Sequence, residues 1–239
     1  MIGVIMNKAL VIAHRSGPIL YPEQTVTSAR HAISLGADMI EIDVRLSADG
    51  KLIISHDASA MRVFGIDKAV ALMTAAEFSL LRHKDAPNYS AHILADYVDA
   101  GVVPLLVHVK VSEAIAPLIG YLKYIGYLDK AVIGVMSPNE AREAIALAPD
   151  VRLLSFAKRE DIPEMISLGC EYIRLWECWL SDDAVSEIKD GGAKLAIMTG
   201  EAEDGYPVGK PSEAGLARCL SYSPDAILIN DVRRITMIQ

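Results

Sequence analysis

Short apolar runs alternate with stretches of helical periodicity along nearly the whole chain. The runs open at positions 9, 39, 103, 131, 151, 171, 194 and 226, and every one except the last is followed by a helix-like segment. The clearest of these segments are 25–35, 113–125, 139–147, 162–168, 182–189 and 212–220, where apolar residues recur at helical spacing. A strand buried on both faces reads as an unbroken apolar run, which is what a parallel sheet covered by helices demands. Eight such units predict an α/β fold, a closed (β/α)8 TIM barrel, with an open doubly wound sheet as the alternative.

The second unit is irregular. Its strand is interrupted by Glu41 and Asp43, a tight turn at 47–50 follows, and 51–55 leads back to His56. From 58 to 102 the pattern loosens into a helix at 74–82, a polar loop at 83–90 and a second helix at 91–100. This stretch is predicted to be a small insertion after the second strand, within a single domain of 239 residues.

The barrel prediction has a chemical corollary, because such barrels carry their active residues at the C-terminal ends of the strands. His14, Glu41, Asp43, His108 and Lys110 all stand at such ends. Glu41 and Asp43, two apart on a strand, share a face. Inside a strand otherwise built of Met, Ile and Val their like charges cost several kcal/mol unless a cation joins them, and a hard divalent ion does so economically. A strand-end salt bridge to Arg45 or another base is the alternative reading. His14 and His56 are each followed by a charged partner, Arg15 and Asp57, and two imidazoles beside a phosphorus centre can serve as general base and general acid. Arg15 has the donor fork for phosphate oxygens, although a barrel carboxylate would also satisfy it.

Composition narrows the partners. A net charge of −8 leaves no broad basic surface for a phosphate backbone, so nucleic acid is not expected, whereas a phosphate-bearing small molecule is compatible with it, because a bound divalent cation and a few basic groups can reverse the local field inside a cleft. The three cysteines are odd in number and lack CxxC spacing, which argues against a disulfide framework and a zinc cluster. The first residues lack a basic lead and are broken at Asn7 and Lys8, so they read as the approach to the first strand rather than a signal peptide. No apolar stretch is long enough for a membrane span, and a cytoplasmic location is the default expectation. Nothing in the chain speaks to its oligomeric state.

His14-Arg15 followed by PEQT at 22–25, then LGADMIEIDVRLSADGKLIISHD ending at Asp57, resembles the glycerophosphodiester phosphodiesterase family, a phospholipase-C-like barrel family with HRG, PENT, E-x-D, DG and HD in that order. The closing PDAILIND agrees more weakly. The resemblance implies a (β/α)8 enzyme using Mg²⁺ or Ca²⁺ to hydrolyse glycerophosphodiesters to glycerol 3-phosphate and an alcohol. It implies His14 and His56 as the acid/base pair, Arg15 as a phosphate ligand, Glu41 and Asp43 as metal ligands, and a supporting role for Glu23.

Three positions depart from the pattern. Ser16 replaces the glycine of HRG, Gln24 replaces the Asn of PENT, and His108-Val109-Lys110 stands where the family has E-x-K. An imidazole in place of the third carboxylate lowers affinity for hard cations and suits Mn²⁺ or another transition metal, so an altered metal site of Glu41, Asp43 and His108 is expected, with Lys110 on the phosphate. If His108 binds no metal, a non-catalytic phosphate-ligand binding protein results. A related barrel activity on a lysophospholipid or other phosphodiester is the remaining alternative. Trp176 and Met198-Thr199 are expected at the same mouth, with Trp176 against the substrate or packed in the core, and the loop 200–211 as a lid or a plain surface loop.

Overall fold

The computed structural model describes residues 8–102, 104–200 and 207–238. The chain begins with strand β1 (Leu10–Ala13) and helix α1 (Val26–Ser34), then β2 (Met39–Leu46) and the short β3 (Leu52–Ile54). Next come α2 (Met61–Phe64), α3 (Ala75–Ser79), β4 (Arg82–His83), β5 (Ala86–Ser90) and α4 (Leu94–Asp99). A regular alternation follows: β6 (Leu105–Val109), α5 (Ile115–Tyr124), β7 (Ala131–Val135), α6 (Pro138–Leu147), β8 (Leu153–Ser155) and α7 (Ile162–Ser167). It ends with β9 (Tyr172–Trp176), α8 (Asp182–Asp190), β10 (Lys194–Met198), α9 (Glu213–Ser221), β11 (Ala226–Ile229) and α10 (Arg233–Thr236).

Helix starts follow their caps. Thr25, Ser137, Ser181 and Ser212 each accept a hydrogen bond from the backbone three residues on, and Pro138 sits in the first turn of α6, where no amide hydrogen is needed.

Eight parallel strands run β1-β11-β10-β9-β8-β7-β6-β2, and β1 pairs back onto β2 through Ile12↔Met39 and Ala13↔Ile40. That pairing closes the ring and excludes the open sheet. Period-two alternation then sorts the side chains. Ile12, Met39, Leu106, Val132, Leu154 and Leu228 fill the barrel, while Val11, Ile40, Ile42, Leu105 and Val107 face the helices. The barrel is thus a packed core, with free space for chemistry only above its last layer.

The segment after β2 differs from expectation in two respects. The polar loop at 83–90 is a β-hairpin of β4 and β5, and α2 precedes the two foreseen helices. Its strands escape a reading by alternation because Ala86–Ser90 is a polar, proline-containing run with no buried face. The segment has its own small core around Ile53, Phe64, Val70 and Phe78. The last strand is followed by the one-turn α10, which the apolar pattern does not announce. Val103 and residues 201–206, within the expected third strand and loop 200–211, lie outside the described residues, as do residues 1–7.

Candidate active site

Immediately after β1 the chain turns sharply. Arg15, Ser16 and Gly17 all have left-handed φ angles of 47°, 68° and 69°, and such a conformation costs a non-glycine residue about 1–2 kcal/mol. The turn aims the Arg15 amide at the carboxylate of Glu41, to which it donates a 2.6 Å hydrogen bond. Ser16, at the glycine position of the motif, is buried and shares a 2.8 Å hydrogen bond with the Tyr97 hydroxyl of α4, so the departure is absorbed by the inserted segment.

Glu41 and Asp43 both point into the barrel and are 1 % exposed. His108, paired with Asp43 across the β2–β6 ladder, brings Nδ1 to 3.1 Å from Asp43 Oδ1 and 3.7 Å from Glu41 Oε1. Lys110 Nζ lies 3.6 Å from Asp43 Oδ1, and Gln24 donates from Nε2 to Asp43 Oδ2 at 2.6 Å. The longer side chain at the Gln24 position thus reaches an acid of the cluster. Burial works against the charge on Asp43, but the His108 imidazole and Lys110 beside it outweigh burial and hold this carboxyl well below the usual carboxylate range.

One donor atom each from Glu41, Asp43 and His108 lie within 4.8 Å of one another, and Asp43 Oδ1 and His108 Nε2 are buried without a hydrogen-bond partner among the described residues. Two carboxylates and an imidazole converging with capacity to spare fit a divalent cation. The imidazole is also built in. Gly134 leaves room for Phe156, whose ring would come within 2.6 Å of a Cβ at that position, and Phe156 stacks on His108 at 3.9 Å and 13°.

The other two histidines flank this cluster and are fixed in the same manner. His14 Nδ1 lies 2.7 Å from Asn230 Oδ1 at the end of β11, and His56 Nδ1 lies 2.7 Å from Asp57 Oδ1. An acceptor oxygen at Nδ1 places the proton there and leaves Nε2 of each ring free for chemistry. Burial pushes His56 below its usual 6.5, more than Asp43 and Asp57 raise it.

Behind them runs an ionic strap. Arg62 of α2 bonds Glu23 at 2.5 Å and also grips Asp57, and Glu23 lies 3.5 Å from Arg15. Burial opposes ionisation of Glu23, but Arg62 and Arg15 prevail and lower its pKa. Arg45, the plain salt-bridge partner considered for the acids, instead donates to the His56 carbonyl at 3.0 Å.

The site thus gathers His14, Arg15, Glu41, Asp43, His56, His108 and Lys110 at one end of the barrel. Trp176 is at that end too, but its ring lies over the Arg174 guanidinium at 4.3 Å rather than standing open. The sequence reading missed Arg62, Asn230 and Arg174. Asn230 lies in the PDAILIND run already noted, and Arg174 interrupts the apolar YIRLW strand, so a signal existed for both.

The model of the Glycerophosphoryl diester phosphodiesterase family matches residues 14–117. The chain is 26% identical over 243 residues to a glycerophosphodiester phosphodiesterase of Caldanaerobacter subterraneus, covering 95% of this chain and 99% of the relative. Two solved structures share the fold. A Thermotoga maritima glycerophosphodiester phosphodiesterase has a TM-score of 0.78 at 18% identity, covering 97% of this chain and 98% of that one. An Oleispira antarctica phosphodiesterase, solved with the product sn-glycerol-3-phosphate, has a TM-score of 0.81 at 22% identity with 96% of both chains covered. Full-length similarity, the shared barrel and a family match that begins on His14 itself point the same way: the chain is similar in sequence and fold to the glycerophosphoryl diester phosphodiesterases.

Proposed function

We propose that this protein is a metal-assisted phosphodiesterase that hydrolyses glycerophosphodiesters to glycerol 3-phosphate and an alcohol. The observation that carries this reading is the pair of pinned imidazoles, His14 and His56, flanking the buried cluster of Glu41, Asp43 and His108. The relatives' activity and the neighbour's bound product support it.

Glu41, Asp43 and His108 would hold a divalent cation, which when bound supplies Lewis-acid polarisation of a phosphoryl oxygen. Its donor set favours Mn²⁺ or another transition metal over Mg²⁺ and Ca²⁺. Lys110 and Arg15 bring positive charge to the same end of the barrel and neutralise the charge that builds on phosphorus-bound oxygens. One imidazole takes the proton of the attacking water at Nε2, and the other gives a proton to the leaving alkoxide. Asp57 and Asn230 hold the two rings in register for that exchange.

The products provide the test. In ³¹P NMR, glycerophosphoethanolamine incubated with the protein and Mn²⁺ is expected to yield a glycerol 3-phosphate resonance from the outset. A cyclic phosphodiester as the first species would assign intramolecular attack instead.

The Asp57–His56 pair gives a second expectation. Asp57 raises the affinity of His56 for its proton, so Asp57→Asn lowers the pKa of that imidazole further below 6.5. The limb of the kcat/KM–pH profile set by His56 should therefore move to lower pH in the variant, and the maximum should fall about tenfold as one ring-orienting hydrogen bond weakens. An unmoved limb would remove His56 from the proton chemistry.

A further inference from the structure

Opposite the metal cluster, three strands round the ring from β1 and four from β2, strand β9 carries a guanidinium into the barrel. Arg174 alternates with Tyr172 and Trp176, both packed with the interior cluster, so it shares their inward face. It is 4 % exposed, and its Nη2 donates to the Phe156 carbonyl at 3.0 Å. Its Nε and Nη1 have no hydrogen-bond partner among the described residues. Burial pushes its pKa down, to about 9, with no carboxylate among the described residues acting against that fall.

A buried cation without a counter-charge is costly unless something completes it. The described carboxylates at this end of the barrel are already engaged: Glu23 and Asp57 by Arg62, Asp43 by His108 and Lys110, Glu41 by the Arg15 amide, and Glu177 by the Gly200 amide. Among the described residues no carboxylate completes the Arg174 guanidinium, and an anionic group of a ligand would. One aromatic ring separates this guanidinium from the metal cluster, since Phe156 stacks on His108 and also lies 5.6 Å from the Arg174 guanidinium carbon. A molecule seated on the cluster and long enough to pass that ring would approach Arg174.

We propose that Arg174 sets the charge preference for the alcohol half of the substrate, favouring an alcohol that bears an anionic group such as a carboxylate and disfavouring a quaternary ammonium. This rests on the phosphodiesterase reading and specifies its substrate class. Glycerol is a neutral triol that calls for no buried cation, whereas the alcohol is the half whose charge varies between glycerophosphodiesters. The aromatic surroundings agree. Trp176, Trp179 and Phe156 could form a cage for a choline-like cation, but their rings already face the guanidinium at 4.3, 5.2 and 5.6 Å. A second cation there meets repulsion, while an anion gains charge-assisted hydrogen bonds.

The test compares kcat/KM of the metal-loaded wild type, Arg174→Lys and Arg174→Met on three substrates: glycerophosphoglycolate, glycerophosphoglycerol and glycerophosphocholine. These carry an anionic, a neutral and a cationic alcohol. The wild type is expected to prefer the glycolate ester to the choline ester by about 10- to 100-fold, as a hydrogen bond to a charged group allows. Arg174→Met should erase that preference, lowering kcat/KM on the glycolate ester about 10-fold or more relative to the neutral ester, and Arg174→Lys should retain part of it. A wild-type preference for the choline ester overturns the proposal without recourse to any variant, as does an equal loss on all three substrates in Arg174→Met. If the wild type cleaves none of the three, the phosphodiesterase reading itself fails and takes this proposal with it.

Discussion

His14→Ala and His56→Ala are each expected to lower kcat/KM on glycerophosphodiesters by about 10³-fold or more, because general acid and general base catalysis are each worth about 10²–10⁴-fold. The expectation rests on how the rings are held. Each has its Nδ1 tied to an oxygen at 2.7 Å, and each stands beside the acidic cluster rather than within the apolar core. Removing either ring should leave the melting temperature nearly unchanged. His14 is the sharper case, since its partner Asn230 comes from the last strand and the pair exists only when the barrel closes. Asn230→Ala should accordingly lose activity through a misoriented His14, by a smaller factor than His14→Ala. Steady-state kinetics with thermal melts alongside would show this, and a His14→Ala enzyme of wild-type rate would refute the assignment.

Asp43→Asn is expected to be damaging by a different route. Asp43 stands among His108, Lys110, Gln24 and Arg15, and its Oδ1 is buried without a hydrogen-bond partner among the described residues. The amide keeps the shape but removes a charge from the donor set, so divalent-ion affinity and turnover should both fall by about 10²-fold or more. His108→Glu should act in the opposite sense on hard cations, because a third carboxylate improves binding of Mg²⁺ and Ca²⁺ relative to Mn²⁺. Isothermal titration of each ion into wild type and both variants separates the two effects. If Asp43→Asn binds Mn²⁺ as the wild type does, the cluster is not the metal site.

The barrel was legible in the sequence because buried parallel strands leave runs that little else imitates. The runs at 131–135, 194–198 and 226–229 coincide with β7, β10 and β11. The hairpin of β4 and β5 was not, since an exposed polar strand pair held by its partner and a small local core has no periodicity to read. The site divides along the same line. His14, Glu41, Asp43 and His56 announce themselves because each charged or polar residue ends or breaks an apolar run within a short stretch of chain. Asn230 and Arg174 join the site only through closure of the ring, and Arg62 through the fold of the inserted segment. Their partners are therefore distant in the chain, and a single sequence does not pair them.

His108 shows what structure adds to a departure from pattern. In the sequence it reads as a lost carboxylate. In the fold it is an imidazole braced by Phe156, which fits only because residue 134 is glycine, and aimed at both acids of the cluster. A site that had merely lost its third ligand would have no reason for such bracing. The central claim is therefore that the cluster works as a metal site with His108 in it. The most direct measurement is turnover of glycerophosphoethanolamine by chelator-stripped protein, with Mn²⁺, Mg²⁺ or Ca²⁺ added back. The account predicts no release of glycerol 3-phosphate without a divalent ion and the highest rate with Mn²⁺, whereas full turnover in the presence of chelator would contradict it.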